Sequence, residues 1–245
     1  MRFRNGLAMT AVLVGLAGVA GNAAWAEEEP VTGVSAPEHS TASVRGLAGD
    51  ALKRLAGERG IDSLSVTWPK SRPVPRRVSG MEWSGEGTAR EVAARFSREF
   101  GDLLGVAAGD LAWVRDEKIK GRTAVHFRQE WNGLPVSGGK VVVVVADSGK
   151  VLACSSGAQP VLARPAEGDI GRDAAVEAAV SSLGNAAELG KAVPVVTGKL
   201  VIAAPDRTQI VYRVLLPTIP GLAKLVVLVD AATGTVVRKF NDVRR

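Results

Sequence analysis

Two patterns in the middle of the chain restrict this region to a helix packed on a β-sheet. A helix is predicted to begin at Thr88, where Glu91 stands at the third position of a capping box. Its apolar residues recur at four-residue spacing and form a ridge that must lie against another surface: Val92, Phe96, Phe100 and Leu104. Residues 141–145 are all valine, and residues 124–127 are also β-prone. One helix on an antiparallel sheet is therefore the predicted unit.

A similar combination precedes and follows this region. Apolar spacing predicts an earlier helix from Val44 to Leu55 and, after a proline-containing segment at residues 159–167, a third helix that begins near Ile170. Strands are predicted at residues 64–68, 200–203, 210–216, 222–229 and 235–240. The predicted fold class is α+β, with two helix-on-antiparallel-sheet units at residues 44–158 and 168–245.

The N-terminus has the features of a secretory signal peptide. Arg2 and Arg4 precede an apolar stretch at residues 7–20, and small residues stand at both cleavage-determining positions before Glu27. The apolar stretch is shorter than the roughly 20 residues that a membrane-spanning helix needs. We therefore predict a signal peptide at residues 1–26, a flexible acidic leader at 27–43, and an exported chain with no membrane segment after cleavage.

The charge balance excludes nucleic acid as a partner. The chain has 31 Lys and Arg residues against 25 Asp and Glu residues, a net charge of +6. Cleavage after residue 26 would remove Arg2 and Arg4 and leave +4, spread along the chain without a dense cluster. A charge this mild supports solubility and an acidic partner at most.

The residues that carry metal and hydrolase chemistry are missing from the sequence. An H-E-x-x-H zinc site needs two histidines one helical turn apart, and the two histidines of this chain are His39 and His126. No G-x-S-x-G elbow accompanies His126 as a possible base, so His126 is expected to be structural. The single cysteine, Cys154, lies in a strand-like run and is expected to be buried and inert. We predict a non-enzymatic protein with no metal and no cofactor.

Three other features have structural explanations. Gly138 and Gly139 enter a predicted strand and indicate a bend or bulge, because a phosphate-binding loop would open a helix. Asp230 stands in a predicted turn that ends at Gly234, and it is expected to bond the turn backbone because the spaced oxygen ligands of a calcium loop are missing. The tryptophans are expected to anchor cores: Trp68, Trp83, Trp113 and Trp131.

Residues 123–157, TAVHFRQEWNGLPVSGGKVVVVVADSGKVLACSSG, resemble the core of the fungalysin/thermolysin propeptide (FTP) domain. The residues that carry this resemblance are Gln129, Trp131, Gly133, Pro135, Val136 and Gly138 or Gly139. The last third of the chain resembles the PepSY module, a cystatin-like fold that usually follows. There the resemblance rests on the strand at residues 210–214 and on the turn from Asp230 to Gly234.

The resemblance implies a partner and a role. Pro-regions of thermolysin-like metallopeptidases assist the folding of the protease and inhibit it, and the segment that joins them to the enzyme lies along the active-site cleft. The corresponding tail here is Asn241, Asp242, Val243, Arg244 and Arg245. We expect that no protease domain follows Arg245, and we therefore expect inhibition or folding assistance in trans. Two alternatives stay open: a remnant of a truncated protease precursor, and an envelope binding module with another ligand.

Overall fold

The structure, a computed structural model, describes residues 40–107, 109–161, 163–183, 193–204, 207–216 and 225–241. These residues belong to one unit, Ala36–Arg245. The predicted signal peptide, leader residues 27–39 and tail residues 242–245 lie outside the described residues. The described part has helices and antiparallel strands, which confirms the predicted α+β class.

The first helix begins at Thr41, three residues before the predicted start at Val44, so the predicted leader ends earlier than residue 43. The α1 helix (Thr41–Ala56) begins after Ser40, whose side-chain oxygen accepts a hydrogen bond from the Ser43 N–H (3.2 Å), and it ends at Gly57. The predicted capping box of Thr88 and Glu91 is present at the start of α2 (Ala89–Glu99). A short α3 (Gly101–Leu104) follows, and two 3₁₀ turns, Gly57–Arg59 and Ile61–Ser63, come after α1. No helix in the described part of the chain is long and apolar enough to cross a bilayer.

Six strands of the first half form an antiparallel array. Their bounds are β1 (Ser65–Thr67), β2 (Arg77–Ser79), β3 (Leu111–Ile119), β4 (Arg122–Trp131), β5 (Leu134–Ala146) and β6 (Val151–Ser156). The order across the array is β1-β2-β6-β5-β4-β3. Sequence reasoning missed β2, because the prolines before it indicate only an extended connector.

The helices bury one side of this array. The predicted helix is divided in the structure, because α2 ends at Glu99 and Phe100 connects it to α3. All four residues of the predicted ridge are nevertheless at most 3% exposed, which confirms that the ridge lies against a sheet: Val92, Phe96, Phe100 and Leu104. The facing strands contribute Val125, Phe127, Val141, Val143 and Val145 to the same core. Leu52 of α1 and Cys154 of β6 also lie there. Alternate residues of β4 and β5 therefore point into the core, as expected for strands covered on one side.

The second half is another helix on an antiparallel sheet. The α4 helix (Gly171–Ser181) packs through Ala175 and Ala179 on four strands. These are β7 (Val195–Ala204), β8 (Arg207–Leu216), β9 (Leu225–Asp230) and β10 (Val236–Asn241), which pair in sequence order. Gly184, the predicted end of this helix, lies outside the described residues. The helix-plus-sheet pattern predicted for this half is confirmed.

The long strand β5 joins the two sheets. Val136, near its start, pairs in parallel with Val201 of β7. The later part of β5 pairs with β6, so a single strand belongs to both arrays. Val136 is 4% exposed and Val201 is 0% exposed, which shows that this junction is closely packed.

A small polar cluster fixes the start of α4 to the second sheet. The Asp169 carboxylate accepts hydrogen bonds from Lys199 Nζ (2.5 Å), Tyr212 Oη (2.5 Å) and the Gly171 N–H (3.1 Å). The bond from Lys199, followed by those from Tyr212 and Gly171, lowers the pKa of Asp169 to about 2. Nothing in the local sequence predicts this cluster, because its members come from a loop and two strands.

Replacing Asp169 with Asn is expected to reduce stability in a pH-dependent way. Because the folded-state pKa is depressed, the ionised carboxylate stabilises the fold above the unfolded-state pKa of about 4, and the stabilisation is lost as the pH falls towards 2. The side chain is half-exposed, so the loss at pH 7 should be only about 1 kcal/mol. Urea unfolding of both proteins from pH 7 to pH 3 measures the difference.

The control for this experiment is Glu177→Gln on the exposed side of α4. It removes one carboxylate without touching the cluster. A difference between wild type and Asp169→Asn that stays constant down to pH 3 would contradict the role given to the ionised carboxylate.

Candidate functional site

The residues of the predicted FTP motif lie together on the hairpin of β4 and β5. Trp131 pairs with Leu134, so the connection is a two-residue turn made of Asn132 and Gly133. Both turn residues have positive φ, +47° and +74°, the combination typical of a type I′ hairpin. Gly133 is therefore explained by the turn, since other residues adopt this backbone conformation at a cost.

Gln129 lies opposite a large bulge in β5. The register of the hairpin runs from Arg128 paired with Lys140 to Glu130 paired with Pro135. Four residues of β5, 136–139, thus stand against one residue of β4. Bulges of this kind bend a strand, and this bend lies where Val136 leaves the hairpin to pair with β7.

The side chain of Gln129 fills the space that the bulge opens. It is 2% exposed, and its carboxamide makes two hydrogen bonds to the backbone of Gln159. Nε2 donates to the Gln159 carbonyl oxygen (2.9 Å), and Oε1 accepts from the Gln159 N–H (2.9 Å). The carboxamide thus imitates a backbone peptide and holds the segment after β6 to β4. A Cβ at position 139 would lie 2.6 Å from Gln129 Cβ, so this position requires glycine.

Arg72 and Ser156 hold the same segment from the other side. The Arg72 guanidinium donates to the carbonyl oxygens of Ser156 (3.1 Å) and Ala158. Burial, together with the neighbouring Arg76, lowers the pKa of Arg72 from its ordinary value. Ser156 Oγ donates to the Leu104 carbonyl oxygen (2.6 Å) and accepts from the Ala158 N–H (3.0 Å). Residues 156–159 are therefore bonded to three separate parts of the first half, and we call this arrangement the clamp.

The clamp was not predicted from the sequence. The segment from residue 159 was expected to act as a linker, and Arg72 was assigned only to an extended connector. The Pro-rich composition around residues 70–77 gave no signal for a guanidinium that reaches two carbonyl groups more than 80 residues away in sequence.

The second group of predicted residues lies on a separate hairpin, between β9 and β10. Asp230 is 6% exposed, and Oδ1 accepts from the N–H groups of Ala232 and Thr233 (both 2.9 Å). Oδ2 accepts from Gln209 Nε2 (2.7 Å), and the Gly234 N–H donates to the Asp230 carbonyl oxygen (3.0 Å). Burial raises the pKa of Asp230, but these side-chain hydrogen bonds outweigh burial and lower it overall. The expected bonding of the turn backbone by Asp230 is confirmed.

Asn241 is the last described residue and the only member of the predicted tail in the described part of the chain. It ends β10 and pairs with Leu225 of β9. Asp242, Val243, Arg244 and Arg245 lie outside the described residues, so their expected role stays a prediction.

The groups considered for chemistry occupy structural positions. Cys154 is 3% exposed, as expected, and burial raises the pKa of its thiol to about 12. His126 lies on the side of the sheet away from the helices, with Nε2 3.3 Å from Glu117 Oε2. Among the described residues no group of three or more His, Cys, Asp or Glu side chains could hold a metal ion.

The expectation that every tryptophan anchors a core was wrong for Trp113. Trp83 meets Phe96 edge-on with ring centroids 5.4 Å apart, whereas the Trp113 side chain on the edge strand β3 is 45% exposed. Arg90 stacks over its ring at 3.6 Å, and Trp113 Nε1 donates to Asp116 Oδ1 (2.8 Å). The apolar pattern of the sequence could not show that β3 lies at the edge of the sheet, because strand order is not visible in it.

Comparison with known proteins supports the motif on the hairpin. Residues 109–156 match the family model of the Fungalysin/Thermolysin Propeptide Motif, which confirms the predicted resemblance over about a fifth of the chain. No curated protein matches the sequence significantly.

Two solved structures are similar to the chain at low identity. The Bacillus megaterium YpeB C-terminal domain is 11% identical, with 81% of this chain and 96% of that chain covered and a TM-score of 0.32. The YpmB protein from Bacillus subtilis is 17% identical, with 64% of this chain and 99% of that chain covered and a TM-score of 0.19.

Replacing Gln129 with Ala should destabilise the protein by about 2 kcal/mol, because two hydrogen bonds are lost and a partly buried backbone segment keeps unsatisfied groups. Chemical denaturation of the variant measures the loss. The matched control is Ser137→Ala, an exposed change within the same bulge, which should fall within about 0.5 kcal/mol of the wild type. Equal stability of the two variants would show that the clamp does not depend on Gln129.

Replacing Gly139 with Ala should cost about 1–3 kcal/mol, because the new methyl group overlaps Gln129 and the backbone must move. Gly46→Ala on the exposed face of α1 is the counterpart, since a Cβ there meets nothing within 4 Å. That change should stabilise the helix by about 0.5–1 kcal/mol. Thermal unfolding of both variants therefore tests whether the melting temperature falls for Gly139→Ala and rises for Gly46→Ala.

Proposed function

We propose that this protein is exported, has no enzymatic activity, and inhibits or assists the folding of a thermolysin-like zinc metalloprotease in trans. The observation that carries the proposal is the match of residues 109–156 to the propeptide motif, together with the rigid hairpin that these residues form. The two histidines, His39 and His126, do not form the zinc-binding motif of such a protease within this sequence.

The physical basis of the proposal is preorganisation. A propeptide that inhibits must present a surface of fixed shape, because ordering a flexible surface on binding reduces affinity. The clamp bonds the segment after β6 to β4, and the β5–β7 pairing attaches the first half to the second half. An extended segment after Asn241 would then add backbone hydrogen bonds in the cleft of the protease, in the manner of strand addition.

The proposal is tested by titrating residues 27–245 against a thermolysin-like protease secreted by the same organism. This protein contains the whole unit Ala36–Arg245. Hydrolysis of a peptide substrate should fall saturably as the protein is added. No inhibition by a folded and intact chain would contradict the inhibitory role and favour a binding module with another ligand.

Removal of residues 242–245 tests the tail. The shortened protein keeps β10 complete, so its melting temperature should be unchanged. Its inhibition constant should rise about tenfold, the equivalent of one or two lost hydrogen bonds of about 1 kcal/mol each. The same deletion also tests folding assistance. The refolding yield of the denatured protease is measured once with the protein of residues 27–245 and once with the protein that lacks residues 242–245. Equal inhibition by the two proteins would exclude the tail mechanism.

A further inference from the structure

The side of the first sheet opposite the helices carries an unusual set of residues. Helices α1, α2 and α3 cover the side that bears Val125 and Val141, and α4 packs on the second half. Among the described residues, no helix packs on the other side of this sheet, which we call the open face. Strand register places on it the residues that alternate with the core positions of β2, β3, β4, β5 and β6.

Five cationic side chains lie on the open face. They are Arg77 of β2, Arg115 of β3, Arg122 and Arg128 of β4, and Lys140 of β5. All five are exposed. They are separated by up to 63 positions along the chain, and only the pairing of the strands collects them on one surface.

Few carboxylates neutralise these cations. Arg115 lies 3.4 Å from Glu117, and Arg128 pairs with Glu130. Arg77, Arg122 and Lys140 form no ion pair with the other residues that the structure describes. The open face therefore has an excess of positive charge within a chain whose net charge is only +6.

Two cations of the open face stand directly opposite each other on neighbouring strands: Arg128 and Lys140. Like charges in this position repel each other. Arg128 also donates two hydrogen bonds to the Glu130 carboxylate, from Nε (3.2 Å) and Nη2, and this carboxylate reduces the repulsion. Lys140 forms no ion pair with the other described residues, so its charge is available to a partner.

The centre of the open face is apolar. Val142 and Val144 of β5 and Ala153 of β6 are half-buried, and Ala124 of β4 is 8% exposed. One row across the strands runs Arg115, His126, Val142, Ser155 and Arg77. At about 4.8 Å between strands, the two arginines stand roughly 19 Å apart, with His126, Val142 and Ser155 between them.

We propose that the open face docks an acidic surface of the protease partner, with the valines at the centre of the contact and the cations around it. An apolar centre with a charged rim is typical of protein–protein interfaces. Single-stranded nucleic acid would instead need aromatic side chains for base stacking. The proposal rests on the proposed function for the identity of the partner, and on charge complementarity for its acidic character.

The test compares two double variants of residues 27–245. Arg128→Gln with Lys140→Gln removes two cations from the open face. Lys53→Gln with Arg98→Gln removes two exposed cations from the helical side, so the net charge changes equally. The open-face variant loses both the repulsion between Arg128 and Lys140 and the exposed Arg128–Glu130 ion pair, so its melting temperature should stay close to that of the wild type.

The first measurement is inhibition of the thermolysin-like protease at low salt. The open-face variant should inhibit about tenfold more weakly than wild type, because two cations that face the acidic partner are lost, and the control variant should change less than about twofold. The difference should shrink at 0.5 M salt, where charges are screened over a few ångströms. Equal inhibition constants for the two variants would overturn the proposal.

The second measurement uses poly-L-glutamate and phosphatidylglycerol vesicles, and it separates this proposal from the proposed function. If the wild type does not inhibit the protease, weaker poly-L-glutamate binding by the open-face variant alone would still support a docking face for acidic protein surfaces. Equal loss in both variants would overturn it, since net charge would explain the binding. Binding to the vesicles but not to poly-L-glutamate would also overturn it, in favour of a membrane surface.

Discussion

The carboxamide of Gln129 lies buried between β4 and the segment after β6, where it both donates to and accepts from the backbone of Gln159. A buried amide without partners would be costly, so the position of Gln129 fixes the path of that segment. It also requires the bulge at residues 136–139, because a regular strand would occupy the space of the side chain. The bulge in turn directs Val136 to Val201, and the junction of the two halves depends on it.

The two sides of the first sheet differ in composition because side chains alternate along its strands. Alternation along β4 and β5 places Val125, Val141 and Val143 under α2, where burial stabilises the fold. The intervening residues are left on the open face, where the helices do not pack on them. A basic surface can therefore occur on the open face without disturbing the core, and Glu130 reduces the local repulsion between Arg128 and Lys140.

Sequence reasoning succeeded where a signal is local. The capping box at Thr88 and the ridge from Val92 to Leu104 each depend on residues within a few positions, and each is present. The Asn132–Gly133 turn is equally local, but it was not predicted. Sequence reasoning also missed the clamp of Arg72, the Asp169 cluster and the exposure of Trp113. Each of these depends on residues from distant segments, whose proximity follows only from strand order.

The distribution of charge also has one part that the sequence predicts and one part that depends on the tertiary structure. Composition predicted a mildly basic chain with no dense cluster, which is correct along the sequence. Helix and strand periods assign side chains to faces, so the α+β class could be inferred from local patterns alone. The propeptide-like region was predicted from its resemblance to a family. The basic open face could not be inferred from either, because it needs the order and register of five strands. Those depend on which apolar faces can be buried together, a property of the whole chain.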